Sequence, residues 1–83
     1  MPDIEKLVST MRNNPKAVRF FDLAKVCTHY FGKPRIRGSH YFFSTPWQGE
    51  PLINIQDDNG NAKAYQVKNV IAAIDILEGM NDV

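Results

Sequence analysis

The chain is poor in cysteine: Cys27 stands alone among 83 residues. One cysteine excludes an internal disulfide and any zinc site built from several thiolates. On a helical stripe it reads as a small buried apolar residue rather than a reactive thiol. Long hydrophobic runs are missing too. No stretch approaches the ~18 residues of a membrane span, and the N-terminus lacks the basic-then-apolar pattern of a signal peptide. A cytoplasmic protein with no membrane attachment is expected. Histidine is scarce, with only His29 and His40. Asp57-Asp58-Asn59-Gly60 matches no calcium-loop spacing and reads as turn chemistry, so neither a metal nor another cofactor is expected.

What remains is the composition of a small folded domain. Charged residues make up 23% of the chain and apolar residues 43%, a balance that argues against disorder. A chain of this length buries only about 60% of its unfolded surface, so the core is thin and the connections are short. A single domain over 1–83 is expected.

The net charge of +1 hides an asymmetry. Residues 6–41 carry Lys6, Arg12, Lys16, Arg19, Lys25, Lys33, Arg35 and Arg37 against Asp22 alone, a net +7. Residues 42–83 carry a net −4. A polyanion responds to local charge rather than to the whole-chain sum, so the basic half fits a nucleic-acid-binding face.

Periodicity orders the chain. Ile4, Leu7, Val8 and Met11 fall at helical spacing, with Asp3 placed as a cap and Asn13-Asn14-Pro15 as the stop. This predicts a helix inside 1–14, ahead of a core over 18–79. Phe20, Leu23, Ala24, Cys27 and Phe31 form a second stripe that ends at Gly32. His29 falls opposite that stripe, as a solvated residue would. From Arg35 the period becomes two. Arg35-Ile36-Arg37, His40 to Thr45 and Leu52 to Gln56 read as strands, separated by the Gly38-Ser39 turn and the Pro46–Pro51 loop. Val67, Val70, Ile71, Ile74 and Leu77 mark a closing helix with Gly79 as its stop.

Helices and short hairpin-linked strands in this order predict an α+β fold. It is a three-stranded antiparallel sheet with the helices packed on one face, plus the extra N-terminal helix. Alternation assigns Ile36, Tyr41, Phe43, Ile53 and Ile55 to the helix-covered side. Arg35, Arg37, His40, Phe42, Asn54 and Gln56 go to the other. Guanidiniums for phosphate, amides for bases or 2′-hydroxyls and a ring for stacking make that second set suited to RNA. Trp47 and Tyr65 read as packing or loop anchors.

Over Lys33-Pro34-Arg35-Ile36-Arg37-Gly38-Ser39-His40-Tyr41-Phe42-Phe43 the chain resembles the HicA toxins. Their signature is a Gly-Ser-His step opening the second strand, after an amphipathic helix and a short basic strand. The resemblance covers roughly residues 18 to 77, and the N-terminal helix is an addition to it. It implies a fold like the double-stranded-RNA-binding domain, an mRNA interferase activity, and neutralisation by a HicB-type antitoxin. It also implies that His40, in its Gly38-Ser39 setting, is the catalytic residue of an endoribonuclease.

The chemistry suits these residues. RNA carries its own nucleophile, the 2′-oxygen, and needs a base to take its proton; a histidine works in either direction near neutral pH. Arg35 and Arg37, with Lys33, supply positive charge to the phosphate. Gly38 lets the backbone approach closely, and Ser39 offers a hydroxyl and an amide. Two other readings are open: a non-catalytic RNA-binding module, and a protein-interaction domain pairing through its exposed strand. The charge asymmetry disfavours the second of these, and only activity separates an RNase from the first.

Overall fold

Two periods run through the chain, and each builds the element it implies. A computed structural model describes residues 4–45 and 53–81. Helix α1 (Ile4–Asn13) is followed by a single 3-10 turn (Pro15–Ala17) and α2 (Phe20–Phe31). Strands β1 (Arg35–Arg37), β2 (His40–Phe43) and β3 (Ile53–Gln56) come next, and α3 (Ala64–Asn81) closes the fold. The strands form one antiparallel sheet in the order β1-β2-β3. The expected cap Asp3, the Pro46–Pro51 loop with Trp47, and Leu52 lie outside the described residues.

The core lies between the sheet and two helices. Helix α2 packs on β2 and α3 packs on β3. Phe20, Leu23, Val26 and Cys27 meet Phe43, Ile53, Ile55, Val67, Val70 and Ile74, all of them buried. The Phe20 ring stands edge-on to Tyr41 with centroids 4.8 Å apart, a favoured aromatic geometry. Cys27 is fully buried, and loss of solvent pushes its thiol up to about 12, so it is an inert core residue. Helix α1 lies on α2 and α3 rather than on the sheet, burying Val8 and Met11.

The two-residue connections use the residues such turns demand. In Asn59-Gly60 both residues have positive φ, 52° and 87°, and Asp58 and Asn61 exchange both backbone hydrogen bonds. That is the Asn-Gly hairpin turn, whose left-handed backbone only asparagine and glycine enter cheaply. The turn also joins the two core helices, because Gly60 C=O accepts from Phe20 N–H and Val18 C=O from Ala62 N–H.

Three expectations are corrected. Ile36, assigned to the helix-covered side, is 57% exposed. Its parity is right, but β1 is an edge strand beyond the reach of α2 and α3, and all three of its residues are exposed. Gly79 does not stop α3, which continues to Asn81. A glycine ends a helix by turning left-handed, and among the described glycines only Gly32, Gly38 and Gly60 do so. Strand β2 ends at Phe43, before Thr45.

Candidate nucleic-acid interface

Register decides which side chains meet on the sheet. The Gly38-Ser39 turn, with Gly38 at φ 59°, sets Arg37 directly opposite His40 and Arg35 opposite Phe42. Glycine at the first of two turn positions is what such a tight hairpin needs. Across the next ladder His40 faces Gln56 and Phe42 faces Asn54. Directly opposed residues share a face. The side away from the helices therefore carries two rows across the strands, Arg37–His40–Gln56 and Arg35–Phe42–Asn54. No member of either row is buried, whereas Phe43, Ile53 and Ile55 on the other face all are.

His40 is central to its row. Its ring lies nearly parallel to that of Phe42, with centroids 6.1 Å apart and planes inclined by 20°. Its Nδ1 is 3.3 Å from Asn54 Oδ1 on the neighbouring strand. An amide oxygen only accepts, so this contact selects the tautomer with hydrogen on Nδ1 and leaves the Nε2 lone pair free. A free Nε2 can take a proton from a hydroxyl on the open face.

Arg35 and Arg37 are exposed, and neither forms an ion pair among the described residues. With Phe42, Phe43 and Ser44 they line an open recess of about 260 Å³. Two guanidiniums beside a ring make a cationic hollow, suited to a phosphate with an attached aromatic group. Gly38 and Ser39 form the exposed tip of the hairpin. The Ser39 carbonyl accepts from Asp57 N–H at 3.0 Å, which ties the tip to the end of β3. The Asp57 carboxylate is itself engaged, accepting from Gly60 N–H at 2.7 Å.

The structure thus gathers Arg35, Arg37, Gly38, Ser39 and His40 on one hairpin. Lys33 is exposed but precedes β1 and belongs to neither row. Phe42, Asn54 and Gln56, assigned to this face by alternation alone, prove to be immediate neighbours of His40. The Asn54 contact depends on the β2–β3 register and has no local signal in the sequence. His29 is exposed on α2, edge-on to Tyr30. Among the described residues no three His, Cys, Asp or Glu side chains come together, and no helix is long and apolar enough to cross a membrane.

No family model, curated protein or solved structure matches the chain.

Proposed function

We propose that the chain is an endoribonuclease that cuts messenger RNA with His40 as its general base, and that it is the toxin of a toxin–antitoxin pair restrained by a HicB-type antitoxin. We read its α2-β1-β2-β3-α3 unit as a fold like the double-stranded-RNA-binding domain, with α1 as an addition. One observation carries the reading. The face of the sheet away from the helices holds a histidine, its Nδ1 against Asn54, beside Phe42, Gln56 and two arginines that form no ion pair among the described residues.

In this reading Arg35 and Arg37 hold the phosphate and balance the charge that grows on it during attack. His40 Nε2 takes the 2′-hydroxyl proton. The 2′-oxygen bonds to phosphorus, the bond from phosphorus to the 5′-oxygen breaks, and that oxygen takes a proton from water, whose hydroxide is neutralised by the proton that His40 gives up. The products are a 2′,3′-cyclic phosphate and a 5′-hydroxyl. The His40–Asn54 contact keeps hydrogen on Nδ1 and leaves Nε2 as the base.

The test is His40→Ala, followed by cleavage of messenger RNA and by growth arrest on expression. The side chain lies outside the core, so stability should stay within about 0.5 kcal/mol of wild type. The cleavage rate should fall by about 10²–10⁴-fold, the usual worth of a positioned proton-transfer group. A folded variant that cuts at the wild-type rate ends the catalytic reading. A wild-type chain that binds RNA without cutting it leaves the binding module in its place.

A further inference from the structure

We propose that the recess beside Phe42 takes one unpaired nucleobase of the RNA, so that the protein acts on single strands and not on duplexes. The inference rests on the reading of this face as RNA-binding and names the form of RNA that it accepts.

The argument begins with β2. Residues of one parity follow each other at about 7 Å along a strand, so His40 and Phe42 stand in a line on the side away from the helices, and Ser44 follows the end of the strand. The Phe42 ring lies nearly parallel to that of His40, with centroids 6.1 Å apart and planes inclined by 20°. The recess is lined by Phe42 and Ser44 but not by His40. The ring therefore borders both the imidazole and the recess, which Arg37, the residue opposite His40, also lines. A flat group in the recess would meet the Phe42 ring, one side-chain step from His40.

Size and charge narrow the occupant. About 260 Å³ is small for a ligand site, below the usual ~300–1,000 Å³ of drug-sized pockets. It admits a single flat ring system and excludes a duplex edge. Arg35 and Arg37 supply cations at the rim, and among the described residues no carboxylate lines the recess. A base joined to a phosphate meets both features at once, through stacking on Phe42 and charge on the arginines. In a duplex each base already has both faces stacked, and the A-form major groove is too narrow to read. Only an unpaired base can enter. Its distance from His40 makes that base a flank of the scissile phosphate.

The test measures binding with the full chain carrying His40→Ala, which removes the proposed base and keeps the probe intact. The probe is a short single-stranded RNA containing 2-aminopurine, whose fluorescence is quenched on stacking, compared with the same strand annealed to its complement. The single strand should bind with quenching and at least about tenfold more tightly than the duplex. Adding Phe42→Leu should weaken single-strand binding by about 5- to 150-fold, the usual worth of one base stacked on an aromatic. The weak, salt-sensitive duplex binding should be unaffected. Phe42→Tyr keeps the ring and should bind as the parent does. A folded Phe42→Leu chain with parental affinity and quenching overturns the base site while leaving RNA binding intact. Equal affinity for strand and duplex does the same. Binding of neither form at low salt overturns the RNA reading itself, and the base site with it.

Discussion

His40 and Asn54 meet diagonally across two strands, with Nδ1 3.3 Å from Oδ1. Neither residue is close to the other in sequence, and only the pairing of β2 with β3 brings them together. Since the amide oxygen fixes hydrogen on Nδ1, Asn54 acts as a positioning residue for the proposed base. Asn54→Leu should keep the fold, because the side chain is exposed, yet slow cleavage by about 10²-fold, the scale of a misplaced reacting group. Nitrogen-detected NMR of the imidazole should show wild-type His40 protonated at Nδ1 in its neutral form and a tautomer mixture in the variant. Asn54→Asp should move the pH–rate profile to higher pH, since a carboxylate there favours the imidazolium. An Asn54→Leu chain with wild-type rate and tautomer would show that the amide orients nothing.

The ion pair between Arg12 and Asp75 joins α1 to α3 across 63 positions of sequence. The hydrogen bond from Arg12 holds the Asp75 carboxyl below its ordinary value of 3.8. A carboxylate that binds protons less readily when folded adds stability above its ordinary value. It loses that contribution as pH falls through the lowered one. Both side chains are largely solvated, so the effect is small and screened by salt. Asp75→Asn should slightly lower the thermal midpoint at neutral pH and low salt. The difference from wild type should fade as pH drops below the ordinary carboxylate range and shrink at about 1 M salt, where the Debye length is ~3 Å. A difference that persists in acid would place its origin in packing around Val8 and Met11.

The order of elements was legible because each period is written locally. Phe20, Leu23 and Cys27 repeat at helical spacing, and Tyr41 and Phe43 alternate with His40 and Phe42. Parity across the Gly38-Ser39 turn was an assumption at the level of sequence, and the pairing of Arg37 with His40 agrees with it. Tertiary reach was not legible. Ile36 has the parity of a core residue, and nothing in its neighbours reveals that the helices stop at β2. Gly79 has the composition of a helix stop, but glycine in a helix costs only about 1 kcal/mol against alanine, which the packing of α3 absorbs. The packing of α1 onto α2 and α3 followed from its apolar stripe only in kind, because a stripe says that something covers it and not what. At the site, the arginines and His40 announced themselves by type. Asn54 and the recess beside Phe42 depend on how three strands align, and sequence spacing does not carry that.

Among the described residues Gln66 is the buried polar side chain, 3% exposed on the first turn of α3. Its Oε1 accepts from the backbone N–H of Gln56 at 2.9 Å, and its Nε2 donates to the Tyr65 hydroxyl at 3.3 Å. Strand β3 is an edge strand, so alternate N–H groups point away from the sheet and need another partner. Gln66 supplies one. Gln66→Leu keeps the volume and removes the acceptor, leaving a partly buried N–H unsatisfied at a cost of about 1–3 kcal/mol. In a domain this small each kcal/mol lowers the midpoint by about 4–8 °C. Urea and thermal unfolding should both show the loss, and the Gln56 amide should exchange with solvent faster than in wild type. Gln66→Glu retains an acceptor oxygen and separates the lost hydrogen bond from the burial of a charge. If it protects the Gln56 amide while Gln66→Leu does not, the hydrogen bond is the cause. A Gln66→Leu chain as stable as wild type, with an unchanged exchange rate at Gln56, would mean that water replaces the side chain at no cost.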